Sequence, residues 1–278
     1  MLNTEDKYVF GRSQKEIERL DAQHRLLSKV TQNTLIHPSI PKDQIQSVAD
    51  VGTGTGIWLK DVAQILPKPD VYYHGFDISA DQFPPNPPAN LQFSEHDITK
   101  PFPEEHWNRY DLVHVRLLVA ALDEPEYKLA IANLSAILKP GGYLQWEEID
   151  EESYFAVENP VIAEIHRCFS FSLTAEGKCF AASAKVLSEC QAAGLVDVER
   201  TEYRSDWDPA ADFKRDVETR FVTIIETLYA SLLLRSGQVK DENAANKRAE
   251  ELIEQHWGLI KEGRSPPFKL MRVVARKV

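Results

Sequence analysis

Val48-Ala49-Asp50-Val51-Gly52-Thr53-Gly54-Thr55-Gly56 is an apolar run that breaks into three alternating glycines just ahead of the helical stretch Ile57–Leu66. The order is strand, glycine-rich turn, helix. Glycines at such a turn let the chain bend sharply and bring its backbone close to a ligand with no Cβ in the way. A dinucleotide fingerprint, G-x-G-x-x-G, would put its third glycine at position 57, which is Ile57. The spacing here is G-x-G-x-G, which disfavours a pyrophosphate cradle. A tight turn with no ligand is the plain alternative.

Outward from this turn, strands are predicted over Ser47–Val51, Val71–Phe76, Leu91–Ser94, Tyr110–Val115 and Tyr143–Glu147, and helices over Ile57–Leu66 and Pro125–Leu138. That alternation predicts βαβ units and an α/β, doubly wound Rossmann-like sheet. After Asp150 it loosens into helices over Asn159–Phe171 and Ala181–Ala193 and a strand over Val196–Tyr203. A long helical insertion from about Ala210 to Glu262 and a last strand over Phe268–Lys277 follow. Ahead of the sheet, an amphipathic helix is predicted from about Ser13 to Ile36, with Glu16 as capping-box partner and His37-Pro38 as its stop. The domains read as a helical cap over residues 1–40, a ligand-binding α/β core over 41–150, and a segment over 151–278 that completes the sheet and adds a helical substrate lid and insertion.

Composition narrows the partners. With 32 basic against 43 acidic residues, a formal charge of -11 and a pI near 5.3, the chain lacks the clustered cations that nucleic acid requires. Met1–Phe10 is polar, and no stretch approaches the ~20 apolar residues of a membrane span, so no membrane partner and a cytoplasmic location are expected. Cys168, Cys179 and Cys190 form neither a CxxC pair nor an even framework, and the eight histidines include no H-x-x-x-H pair, so no metal is expected. Oligomeric state is left open.

Two acidic residues stand at informative places. Asp77, ending the second strand in Gly75-Phe76-Asp77-Ile78, is positioned to accept both hydroxyls of a ribose, or else to cap a helix. Asp97-Ile98, after the third strand, would set a carboxylate against an adenine amino group and an aliphatic side chain against its face, or else form an ordinary turn. With Tyr110–Arg116 as fourth strand and Leu138-Lys139-Pro140-Gly141-Gly142 as the turn into the fifth, these stretches resemble, over Val48–Asp150, the class I S-adenosylmethionine-dependent methyltransferases. The resemblance implies a seven-stranded sheet with its last strand antiparallel and S-adenosyl-L-methionine as cofactor. It assigns cofactor contacts to Asp50, Gly52, Thr53, Gly54, Gly56, Asp77, Ile78, Asp97, Ile98, Val115 and Arg116.

A narrower resemblance rests on Tyr8-Val9-Phe10-Gly11-Arg12-Ser13, Glu18-Arg19-Leu20, Arg25-Leu26-Leu27 and Gln145-Trp146-Glu147-Glu148. These are similar to fungal secondary-metabolite methyltransferases, including those that tailor indole alkaloids. In that family the opening helix caps the cofactor, which brings in Tyr8, Arg12 and Gln23, although a solvated helix face explains Arg12 and Arg25 equally well. The expected acceptor is a small aromatic natural product, methylated on a hydroxyl or N-hydroxyl. Nitrogen, and a non-catalytic regulator on the same fold, are the alternatives.

Removing the acceptor's proton calls for a base at the carboxyl edge of the sheet. Glu147, Glu148 and His166 are the candidates. Strand alternation sets Gln145 and Glu147 on one face and Trp146 and Glu148 on the other, so one glutamate at most enters a pocket. His114 reads as buried and structural. Trp146, Phe169, Phe171, Trp207 and Phe221 are the aromatic candidates for stacking on a flat acceptor, with core packing as the alternative for at least half of them.

Overall fold

Every strand expected from the apolar runs enters one sheet in the computed structural model, which describes residues 14–66, 68, 70–149, 159–175, 177–179, 181–207, 211–235 and 237–278. The strands are β1 (Ser47–Val51), β2 (Tyr72–Asp77), β3 (Leu91–Glu95), β4 (Tyr110–Arg116), β5 (Leu138–Ile149), β6 (Val196–Arg204) and β7 (Lys269–Arg276), ordered β3-β2-β1-β4-β5-β7-β6. β1 to β5 pair in parallel. β7 runs against both neighbours: Gly141 and Gly142 in β5 exchange backbone hydrogen bonds with Lys277, and Ser205 N after β6 donates to Phe268 O before β7. The order reverses between β1 and β4, where open α/β sheets take their ligands.

Central parallel strands are covered on both faces, so their residues read as unbroken apolar runs. Val48, Ala49, Val51, Leu112, Val113 and Val115 are all buried. On one face α2 (Ile57–Ile65) sets Trp58, Leu59 and Val62 into a core with Ile36, Ile40, Tyr73, Leu112 and Val274. A further helix, α3 (Glu126–Ile137), buries Tyr127, Ile131 and Leu134. Each such side chain contributes ~1.5–3 kcal/mol.

The remaining helices are α1 (Gln14–Val30), α4 (Pro160–Ala175), α5 (Ala182–Ala192), α6 (Ala211–Arg235) and α7 (Glu242–Lys261). α1 stops six residues short of the expected Ile36 because Gln32 and Asn33 adopt left-handed φ values of 54° and 58°. Leu35 and Ile36 then pass into the core as irregular chain. Glu16 receives Arg19 Nε and Nη2 at 2.7 Å, and its expected capping partner Ser13 lies outside the described residues. β5 starts five residues before Tyr143, since the register shift opposite Tyr110/Leu112 absorbs Pro140-Gly141-Gly142. A Cβ on Gly142 would stand 2.9 Å from both Lys139 O and Tyr110 O, so glycine is required there. The insertion divides in two, with Asp241 capping α7 by accepting from Ala244 N at 2.9 Å.

Two compact units result. One holds the residues up to 149 with 182–202 and 271–278; the other holds 150–181 and 203–270. Residues 151–278 divide between the two, α5, most of β6 and β7 going with the sheet. The second unit has its own core of Ile162, Ile165, Tyr229, Leu232, Leu233, Leu252 and Leu259. Among the described residues no helix is long and apolar enough to cross a membrane.

Candidate functional site

The glycine loop hangs from the ends of β1 and β2. Gly52 N and Thr53 N donate to Phe76 O at 2.8 and 3.0 Å, and Gly54 N donates to Asp77 Oδ2 at 2.8 Å. Gly56, the residue before α2, has φ 70°, and a Cβ there would lie 2.5 Å from the Phe93 ring. Gly56→Ala should therefore destabilise the fold by about 1–3 kcal/mol through overpacking alone, read as a lowered urea midpoint. A variant as stable as the parent would count against this packing.

Asp50 was expected to meet the ligand, but both of its oxygens are engaged inside the protein. Oδ2 accepts from Thr53 Oγ1 at 2.7 Å, and Oδ1 lies 2.7 Å from His114 Nδ1. His114 is buried and stacks on Trp58 at 3.6 Å between ring centroids. Asp50 thus positions the loop from beneath. Val115, also assigned to the ligand, is wholly buried in the sheet.

Asp77 keeps capacity for an external partner. Besides Gly54, Ser79 N makes a long 3.4 Å contact to Oδ1, and the Ile78 N–H also faces the carboxylate. Burial raises its pKa, opposed by the N–H groups of Gly54, Ser79 and Ile78. Ile78 beside it is 60% exposed. Asp97 Oδ1 accepts from Thr99 N at 2.9 Å and Thr99 Oγ1 at 2.7 Å, the turn geometry allowed for above, and Ile98 is buried.

α1 lies along the loop. Leu20 Cδ1 is 3.5 Å from where a Gly54 Cβ would be, and Asp21 Oδ1 accepts from Thr55 Oγ1 at 2.8 Å. Gln23 is half-buried and Arg25 is exposed, whereas Tyr8 and Arg12 lie outside the described residues. Arg116, ending β4, meets His24 of α1, its Nη2 3.1 Å from His24 Nδ1. Gln82 was missed from the sequence, since one amide in a proline-rich loop carries no pattern. Its Oε1 stands 3.6 Å from the same Gly54 Cβ position, and its Nε2 is buried with no hydrogen-bond partner.

The two glutamates of β5 differ sharply. Glu147, offered as a base, is instead a structural anion. Arg272 Nε of β7 donates to its Oε1 at 2.7 Å, and Gln145 Nε2 approaches at 3.3 Å. Burial would raise its carboxyl, but Arg272, helped by His114 and Arg116, holds it well below the usual carboxylate range. Glu148 Oε1 accepts from Trp146 Nε1 at 2.8 Å and from Leu118 N at 2.9 Å, while its buried Oε2 has no partner. Burial, opposed by those hydrogen bonds and the Val119 N–H and joined by the Glu147 charge, pushes its pKa up to about 7. Leu117, at φ 57°, turns the chain so that Leu118 bridges the two features: a Cβ on Gly52 would touch Leu118 Cδ2 at 3.0 Å.

Trp146 is corrected to core, buried and stacked on Tyr127 at 5.7 Å because its strand face meets α3. His166 is half-buried on α4 in the second unit. In that unit Phe171 is 52% exposed, and Trp207, 44% exposed, leans on Phe213 at 5.5 Å. The side chains of Phe169 and Phe221 lie outside the described residues.

The Gly54 backbone between Leu20 and Gln82, the Asp77 carboxylate that holds it, and the Gln82 Nε2 with no hydrogen-bond partner form one polar cluster at the glycine loop. Residues 13–215 match the methyltransferase-domain family Methyltransf_23, so the chain belongs to that family. The likeness to class I methyltransferases expected from the sequence is thereby borne out at the level of family and fold. Methyltransferase grgD of Penicillium sp is 42% identical over 156 residues, 54% of this chain and 55% of that protein. N-methyltransferase gliN of Aspergillus fumigatus is 34% identical over 148 residues, 52% of this chain and 51% of that protein. The chain thus spans about half the length of the curated relatives it matches. Among solved structures, phosphoethanolamine N-methyltransferase 2 of Haemonchus contortus shares the fold at TM-score 0.52 and 15% identity, covering 92% of this chain and 57% of that one. The cyclopropane synthase MmaA2 of Mycobacterium tuberculosis does so at TM-score 0.53 and 12% identity, covering 90% and 84%.

Proposed function

We propose that this chain methylates a proton-bearing heteroatom of a small, ring-bearing molecule of fungal secondary metabolism, with Glu148 accepting the proton. The observation that carries the reading is the place of the Glu148 carboxyl: buried, tied through Leu118 to the glycine loop, and with burial pushing its pKa up to about 7. S-Adenosylmethionine supplies an already activated methyl group. The protein's part is then to hold, align and exclude water, and orientation alone lowers such barriers by ~7–11 kcal/mol.

Gly52, Gly54, Asp77 and Gln82 hold the cofactor in this reading, with α1 as its cap. Asp77→Ala should weaken S-adenosylhomocysteine binding by ~1.5–3 kcal/mol, the loss of a hydrogen bond to a charged group. Calorimetry that finds unchanged affinity in a folded Asp77→Ala protein would refute that assignment.

A base of this kind serves a hydroxyl, an N-hydroxyl or a neutral N–H alike. Relatives named N-methyltransferase, gliN at 34% and sirN of Leptosphaeria maculans at 35% identity, favour nitrogen, and we place it ahead of the hydroxyl. The fungal sources of these relatives support a natural-product acceptor. The test is incubation with methyl-labelled cofactor and ring-bearing acceptors supplied in pairs, one blocked at nitrogen and one at oxygen. Label on the oxygen-blocked member supports nitrogen. Label on histones or nucleic acid, with none on the small molecules, would overturn the substrate class.

A further inference from the structure

We infer that His24 is a positioning residue which, while neutral, latches α1 onto the cofactor loop by holding Arg116, and which releases that latch on taking up a proton. The inference rests on the cofactor reading proposed above. His24 is wholly buried on α1, between α2 and the end of β4. Its Nε2 lies 2.9 Å from Asp61 Oδ2, and its Nδ1 lies 3.1 Å from Arg116 Nη2. A guanidinium can only donate. Nδ1 must therefore accept from Arg116, and the single ring proton sits on Nε2, donated to Asp61. Ser28 Oγ, one turn along, donates to the His24 carbonyl at 2.9 Å.

A second proton has one place to go, Nδ1, where it would face the Arg116 N–H. The charged groups around His24 set the balance. Arg116 and His114 on β4 oppose a cation, and Asp61 on α2 favours it. Arg116 in turn is drawn by Glu147 on β5 and Asp50 on β1 and repelled by Arg272 on β7. On α1 itself Asp21 is engaged with Thr55 and Arg25 is exposed. Burial first, then Arg116, lowers the His24 pKa from its ordinary 6.5, against the pull of Asp61. Three ties seat α1 on the loop side of the sheet: Leu20 over Gly54, Asp21 to Thr55, and His24 to Asp61 and Arg116. An imidazole is the group among them whose charge changes between pH 5 and 8.

The test is calorimetric titration of the full chain with S-adenosylhomocysteine from pH 8 to pH 5. The parent should lose affinity by about tenfold for each pH unit below the His24 midpoint, because release is coupled to one proton. His24→Asn offers Arg116 an amide oxygen and Asp61 an amide N–H. It should keep the pH 8 affinity and lose most of the acid dependence. Asp61→Asn removes the charge that favours the cation and should move the midpoint to lower pH. Parallel loss of affinity in parent and His24→Asn overturns the latch. If His24→Asn does not fold, an unmoved midpoint in Asp61→Asn overturns it. Absence of binding by the parent at pH 8 would instead strike the cofactor reading, and the latch with it.

Discussion

Replacing Arg272 by Met is expected to lower stability by about 3–5 kcal/mol, because it strands a buried carboxylate. Arg272 and Glu147 are both buried, and the guanidinium also donates from Nη2 to Thr34 O at 2.7 Å. The neighbouring amide extends the clamp: Gln145 accepts from His37 N at 2.8 Å and donates to Leu35 O at 2.9 Å. β5, β7 and the chain between α1 and β1 are thus held at one point. The sign with pH follows from the depressed Glu147 pKa. The pair's stabilisation is full above the ordinary value of 4.5 and fades as pH falls toward the folded one. Urea unfolding of Arg272→Met should therefore show a smaller acid-dependent loss than the parent. Glu147→Leu combined with Arg272→Met should recover most of the deficit, since an apolar pair leaves no charge unpaired. A single-variant loss below about 1 kcal/mol would contradict the clamp.

Glu148→Gln should lower kcat by ~10²–10⁴-fold while leaving cofactor affinity unchanged. The amide oxygen can still accept from Leu118 N and Trp146 Nε1, so the fold is kept and the proton acceptor is lost. In the parent, kcat/KM should climb with pH through about 7 as the carboxyl ionises. Stability moves the other way. The folded carboxyl holds its proton more tightly than the unfolded one, so raising the pH from about 4.5 to about 7 costs stability. Glu148→Gln should remove that slope and be the more stable protein at pH 8. Turnover equal to the parent's would exclude Glu148 as the base.

Residues buried on both faces made the sheet legible: Val48–Val51 and Tyr110–Val115 are mainly apolar, interrupted by Asp50, Asp111 and His114, and each became a strand within a residue of its expected ends. The glycine loop was equally plain, because three glycines before a helix have few other uses. What the sequence hid are pairings across long chain separations. Glu147 meets Arg272 across 125 positions and His24 meets Arg116 across 92, and no local period records either. Alternation separated Glu147 from Glu148 correctly by face, yet only the β7 cation decides which is a fixed anion. Trp146 misled for a related reason. An aromatic residue at a strand exit suits a pocket or a core equally, and the packing of Tyr127 against it selects the core.

The cofactor reading is the centre of the account, and titration of the folded chain with S-adenosylhomocysteine at pH 8 tests it most directly. Saturable binding of one molecule per chain is expected, weakened in Asp77→Ala, with no comparable binding of a nicotinamide dinucleotide. A folded chain that gives no heat with S-adenosylhomocysteine, or that binds the dinucleotide in its place, would contradict it.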